Sequence, residues 1–330
     1  MFGFLRLLLA IAVALSHVGV RVAGLNPGVV AVVGFYLISG YVMAGLISRH
    51  FNQPRQAGAF YLDRAIRLLP QYLTYLLLTV AWYATGFTAT PFLSHAPSAS
   101  DYMNNLLVVP LNYYMFNHSD QFTLIPPAWS LGAEIQFYLL APLLLLVPRV
   151  RWFTGVLSLC VYIAALAALI HTEWFGYRLL PGILLFFLLG AHLHQRHSQG
   201  ASTRAVALGV ASTCLLVIGL LQWHGTLHQP FSLETLVGLA IGLLLLHTLA
   251  QRTSTWWDTL AGDISYGVFL NHFLVLWVFY PAPLSTDQLP GFLGISIGLA
   301  WLTQRLVEQP LLKLRHRIRS AHPTPRGRAA

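Results

Sequence analysis

Long apolar runs alternate with short polar joints along this entire chain, and nearly every arginine falls on alternate joints. Runs of about 17–25 apolar residues are long enough to cross a bilayer as helices. Inside lipid the backbone must satisfy its own hydrogen bonds, which leaves such runs no option but helix. The expectation is an all-α, polytopic integral membrane protein with about ten transmembrane helices. The runs lie near Phe4–Val20, Gly28–Ser48, Leu68–Gly86, Trp129–Pro148, Trp152–His171, Leu179–Gln195, Ala205–Trp223, Leu233–Ala250, Ile264–Tyr280 and Gly291–Val307.

The basic residues orient these spans. Arg49, Arg55, Arg64 and Arg67 follow the second run, Arg149 and Arg151 the fourth, Arg196 and Arg204 the sixth, and Arg252 the eighth. The tail holds Lys313, Arg315, Arg317, Arg319, Arg326 and Arg328. The opposite joints hold only Arg21 and Arg178, and the long stretch from Phe87 to Ala128 has no lysine or arginine. The positive-inside rule then places both termini in the cytoplasm and the long stretch outside. Within that stretch Tyr102–Phe116 reads as a short interfacial helix. Residues 1–310 are expected to form one membrane domain, and 311–330 a basic cytoplasmic tail along anionic headgroups.

Composition agrees. Hydrophobic residues make up 56% of the chain and charged residues 9%, against about 25% charged in soluble domains. A net charge of +9 would suit nucleic acid, but these charges sit where a polytopic protein carries them anyway, so no nucleic-acid partner is expected. Cys160 and Cys214 lie inside apolar runs and read as packing residues. Met1–Gly24 has the charge-then-apolar order of a signal peptide, yet the apolar run resumes directly after Pro27, which favours a first span.

Ionisable residues within spans are costly and therefore the first suspects for function. Arg6 and His17 lie eleven positions apart, within roughly 20° of one helix face and about 16 Å along the axis. His17 is suited to proton transfer near neutral pH, or to an interhelical hydrogen bond. Arg64 and Arg67 share a face just before Pro70, either as a fork for phosphate oxygens or as a cytoplasmic anchor. Glu134 shares a face with Ser130 and Tyr138 at i±4 spacing and should point inward, toward a functional partner or a structural arginine. Ser265, Tyr266 and His272 cluster in ISYGVFLNHF. Glu308 beside Arg305 reads as a helix-end ion pair. His192 and His194 face different ways, and no metal framework or nucleotide-binding loop is present in the sequence. These features leave a transferase or a transporter.

Taken in order, the segments resemble the acyltransferase-3 family, bacterial membrane O-acyltransferases that modify surface polysaccharides. Arg6 with His17 resembles the family's first-span motif and GFYLISGYVM (Gly34–Met43) its second span. Arg64-x-x-Arg67 with Pro70 matches the R-x-x-R-x-x-P joint, AWSLGAEIQFYLL the fourth span, SYGVFLNH the late histidine segment, and VEQP the terminal motif, with Gln309 in place of a basic residue.

The resemblance implies transfer of an acyl group, acetyl first, from cytoplasmic acyl-CoA to a hydroxyl of an envelope or extracellular glycan at the external side. It implies a multi-pass protein of the bacterial inner membrane. Arg6, Arg64 and Arg67 would hold the acyl-CoA, and His17 would act as general base or carry the acyl group, with Glu134 orienting it or the acceptor. Ser130, Tyr138, Ser265, Tyr266 and His272 would line the substrate path. The expected partners are acyl-CoA, a glycan acceptor, membrane lipids, and a glycan-assembly partner or a second copy; no metal is expected. No SGNH-type esterase segment follows the spans, so acceptor acylation would rest on the membrane domain. The alternative is a membrane transporter of a small anionic solute.

Overall fold

The computed structural model describes residues 2–86, 90–280 and 283–320. Thirteen helices run through them: α1 Gly3–His17, α2 Pro27–His50, α3 Ala57–Tyr83, α4 Ala99–Leu107, α5 Tyr114–Asn117, α6 Ala128–Leu146, α7 Pro148–Leu166, α8 Leu180–Ser198, α9 Arg204–Trp223, α10 Ser232–Ala250, α11 Trp256–Phe279, α12 Leu289–Thr303 and α13 Gln309–Ser320. Short 3₁₀ and π turns join them, and among the described residues β-structure is confined to isolated bridges.

Among the described residues seven helices are long and apolar enough to cross a membrane: α2, α6, α7, Trp174–Ser198, α9, α10 and α11. The remaining three expected spans fall short by themselves. Helices α1 and α12 are each 15 residues long. Helix α3 has the length, but charges in its first half and Gln71, Thr74 and Thr79 further on dilute its apolar character.

The outer helices show what solvent this fold was built for. Trp152, Phe153 and Leu157 on α7 and Leu215, Leu216 and Trp223 on α9 are all more than half exposed. A water-soluble surface rarely tolerates so continuous an apolar belt, and lipid requires it.

Helix α2 lies at the centre, against α1, α6, α8 and α10. Its start is set locally: the Asn26 side chain accepts from the Gly28 amide at 3.0 Å, with Pro27 in the first turn, the residue types that begin a helix. Its closeness to α8 depends on two glycines. A Cβ on Gly40 would sit 1.8 Å from the Phe187 carbonyl oxygen, and one on Gly190 would sit 1.9 Å from that of Leu37. Small residues of this kind let membrane helices approach through their backbones.

Two expectations change here. The 102–116 stretch is not one helix: α4 ends at Val108, whose φ of 65° breaks it, and a 3₁₀ turn at Val109–Tyr113 leads into α5. The broken segment is tied down, with the Leu124 amide donating to Asn105 Oδ1 at 2.8 Å and the Tyr72 hydroxyl donating to the Asn105 carbonyl at 2.5 Å.

The sequence past residue 310 also differs from a simple tail. A π-turn at Gln304–Glu308 links α12 to α13, and α13 packs back on α3. Ion pairs from Arg315 and Arg319 to Asp63 hold it there. The rest of the expected tail, with Arg326 and Arg328, lies outside the described residues, as do Phe87 and Pro281.

Candidate active site

Two cavities meet in the middle of the bundle. The larger, about 530 Å³, opens among Arg49, Arg64, Arg67, His197, Arg315 and Arg319, and runs inward past Arg6 to Ser39, Ser130, Glu134, Tyr138, Ser265 and Tyr266. That volume lies in the range of small-molecule sites. The smaller, about 100 Å³, is lined by His17, Ser16, Asn26, Trp129, Tyr177 and Arg178. Val32, Ser130 and Phe269 belong to both walls. Joints rich in arginine thus gather at one cavity and the intervening joints at the other, as antiparallel packing of alternating spans requires.

At the mouth of the basic chamber charge is unevenly matched. The fully buried Asp63 carboxylate pairs with Arg64, with Arg319 at 2.9 Å and with Arg315 at 3.6 Å. Burial would raise the Asp63 carboxyl, but Arg64 and Arg319 outweigh it and hold it below its ordinary value. One carboxylate balances one of three guanidinium groups, so positive charge is left over at the mouth. Arg67 pairs with Glu308 and lies 5.7 Å over the Tyr266 ring. Arg6, further in, has no ion pair among the described residues. The surplus gives the mouth a positive field of the kind that attracts anions.

Deeper in the same chamber, Glu134 accepts from Ser39 Oγ at 2.7 Å and from the Tyr138 hydroxyl. The i, i+4 spacing of Glu134 and Tyr138 makes their contact a local consequence of α6. Ser39 comes from α2, which brings a third hydroxyl-bearing side chain that the spacing on α6 does not reveal.

The histidine chamber is different in kind. His272 Nε2 lies 3.1 Å from His17 Nδ1, and His272 Nδ1 lies 3.2 Å from the Val268 carbonyl. The rings are near-parallel, 18° between planes. A carbonyl only accepts, so His272 Nδ1 carries the hydrogen. In a neutral pair His272 Nε2 is then the acceptor and His17 Nδ1 the donor. His17 Nε2 is left with its lone pair, the state a general base needs. His272 is fully buried behind its partner, whereas His17 is exposed at the open chamber. Phe273 packs on both rings and Phe92, from the long loop, packs on Phe273 at 5.2 Å, so that loop roofs the pair. Beside it Arg178 bonds Glu173 at 2.7 Å and lies 4.2 Å over the Trp129 ring.

The expected site residues therefore divide. Arg6, Arg64, Arg67, Ser130, Glu134, Tyr138, Ser265 and Tyr266 line the basic chamber. His17 lines the histidine chamber, while His272 lines neither and supports His17 from behind. The structure adds partners to the sequence reading. Glu134 is engaged with Ser39 and Tyr138, and the partner of His17 is His272. Glu308 pairs with Arg67 across the fold, not with Arg305, which contacts Gln309 at 3.4 Å. The Ser265 hydroxyl donates to the Gly262 carbonyl at 2.7 Å, and that of Tyr266 to the Leu68 carbonyl at 3.2 Å, so both are anchored to backbone. Arg64 and Arg67 each have an acidic partner and do not form one open fork. Sequence reasoning missed Ser39, Asp63, Arg178, Arg315 and Arg319, and passed over His194, which is buried on the basic chamber wall against the Tyr41 ring.

Comparison with known proteins gives one family, described as an acyltransferase domain, that matches residues 2–305. An uncharacterized protein of Aquifex aeolicus is 34% identical over 201 residues, 59% of this chain and 90% of the relative. Nodulation protein 10 of Rhizobium leguminosarum bv. viciae is 24% identical over 95% of this chain and 93% of its own length. A protein named "Putative O-acetyltransferase" from Staphylococcus aureus (strain COL) is 24% identical over 94% of this chain. The chain spans 56% of that relative's length. No solved structure matches.

Proposed function

The chain belongs to the acyltransferase-3 family and is a multi-pass membrane acyltransferase, and from that premise we propose that it carries an acyl group from cytoplasmic acyl-CoA to a hydroxyl of an envelope glycan outside the bacterial inner membrane. The observation that carries this reading is the meeting of a basic chamber with a histidine chamber at a shared wall. This reading takes ten spans from the apolar runs and places both termini inside from the arginine asymmetry. On that topology the basic chamber opens to the cytoplasm and the histidine chamber to the outside.

The donor enters phosphates first. Its phosphate oxygens exchange with Asp63 for Arg64, Arg315 and Arg319, and Arg6 meets them further in. Ser39, Glu134 and Tyr138 flank the path of the thioester inward. The acceptor enters past Trp129, Tyr177 and Arg178. Its hydroxyl oxygen attacks the thioester carbonyl carbon as His17 Nε2 takes the hydroxyl proton. The C–O bond forms, the C–S bond breaks, and the proton passes to the departing thiolate. His272 holds His17 in the tautomer that makes this transfer possible. The name of the S. aureus relative favours acetyl as the group moved.

The test uses inverted membrane vesicles carrying the full chain, given radiolabelled acetyl-CoA. Label is expected in the glycan fraction, and absent from vesicles that lack the chain. Solute flux without acyl-CoA consumption would instead support the transporter alternative and end this reading.

A further inference from the structure

We propose that the neck formed by Val32, Ser130 and Phe269 sets the length of acyl group this protein accepts, admitting acetyl and excluding chains of about four carbons or more. The inference rests on the acyl-transfer reading and adds to it the residues that select the donor. Among the described residues these three side chains alone line both chambers. They are 4%, 7% and 8% exposed and come from α2, α6 and α11, so the neck is a packed junction of three helices. Phe269 is braced from the basic side by Phe35, edge to face at 6.0 Å. It lies on α11 one turn before His272 and Phe273, on the same face. An acyl carbonyl that reaches His17 must therefore pass, or stop, at the Phe269 ring.

The two sides of the neck differ in room. On the basic side there is space for a cofactor of some size. On the histidine side only about 100 Å³ remains, and an attacking hydroxyl must share it with the acyl group. A longer acyl tail would have to lie against Val32 and Phe269, two nearly buried apolar side chains that line both cavities. The neck also carries a polar catch. Tyr36 lies one turn along α2 from Val32, lines the basic chamber and is 2% exposed, and its hydroxyl has no hydrogen-bond partner among the described residues. A buried hydroxyl without a partner is costly. A thioester carbonyl stopped at the neck would accept that hydrogen, which places the acyl carbon at the Val32–Phe269 constriction.

The experiment compares radiolabelled acetyl-, butyryl- and hexanoyl-CoA as donors in vesicles carrying the full chain. The readout is the ratio of hexanoyl to acetyl label reaching the glycan fraction, which is independent of how much protein inserts. The wild-type chain is expected to favour acetyl by about tenfold or more, the discrimination a tight apolar site gives for added methylenes. Phe269→Ala is expected to raise the ratio by about tenfold, and Phe269→Leu by less. Val32→Ala opens the same neck from the facing helix and should shift the ratio the same way should Phe269→Ala not accumulate. Equal use of hexanoyl- and acetyl-CoA by the wild-type chain overturns the proposal. So does an unchanged ratio in the neck variants while acetyl transfer persists. No transfer from any of the three donors by the wild-type chain overturns the acyl-transfer reading itself.

Discussion

The two chambers handle ionisable groups in opposite ways. At the basic mouth, charge is kept by pairing: Asp63 gathers Arg64, Arg315 and Arg319, and Glu308 takes Arg67. In the histidine chamber, His17 and His272 are joined through ring nitrogens and a backbone carbonyl, with no carboxylate hydrogen-bonded to either ring among the described residues. Under the proposed acyl-transfer reading, the difference follows from what each chamber would do. A site for a polyanion needs surplus positive charge that a ligand can claim by displacing a carboxylate. A proton acceptor needs a lone pair, and a neutral hydrogen-bond chain supplies one without burying a charge.

The largest test of that contrast is His17. His17→Ala and His17→Gln are both expected to reduce acyl transfer by about 10²–10⁴-fold at normal membrane abundance, since glutamine can hydrogen-bond but cannot take the proton. Near-normal glycan acylation by the glutamine variant would reduce the histidine pair to a packing contact.

Next is the Arg67–Glu308 pair, where stability and binding can be separated. Arg67→Ala strands a buried carboxylate and is expected to cost about 3–5 kcal/mol, read as lost thermal stability in detergent. The double variant Arg67→Met, Glu308→Met should regain that stability. If it also binds acetyl-CoA with unchanged affinity, Arg67 serves the fold and not the donor.

His272→Ala is expected to lower turnover by about five- to tenfold, the worth of one hydrogen bond that sets a tautomer. His272→Gln should recover part of it, because the amide oxygen can accept from His17 Nδ1. A structural role alone would lower abundance without this order of rescue.

The smallest effect concerns α13. The Asp63 carboxyl is held below its ordinary value, so its contribution to docking α13 is full above the unfolded value and is lost only as pH falls through the depressed one. Docking should survive mild acid. Asp63→Asn should loosen α13 at neutral pH and raise the labelling rate of an Ile318→Cys variant by a soluble maleimide about fivefold or less, because Arg319 is partly exposed and its pairing is discounted by solvent. Equal labelling in both backgrounds would show that apolar packing of Ile318 holds the helix.

Part of the candidate site is legible in the sequence because chemistry-bearing residues are rare inside apolar helices. His17, Arg6, Glu134 and His272 stood out for that reason, and all four lie on or directly behind a chamber wall. Helical spacing was enough to pair Glu134 with Tyr138. It could not pair His17 with His272, which are 255 positions apart, nor Arg67 with Glu308. Ser39 was inside a recognised motif but reads as one more small residue on a glycine-containing helix. Arg315 and Arg319 were hidden by their number, since a basic tail has an ordinary explanation at a membrane surface.

Sequence by itself determined that the chain is helical, that it crosses a membrane several times and that it belongs among acyltransferases. Lipid leaves a long apolar run no alternative to helix, and six motifs in order carry the resemblance to the family that matches the chain. Only the tertiary structure decided which charges are paired, which histidine supports which, and that two cavities meet at Val32, Ser130 and Phe269. Those outcomes depend on how α1, α2, α6, α11 and α13 pack, where contact over hundreds of residues is set by close backbone approach, as at Gly40 and Gly190, and not by any local pattern.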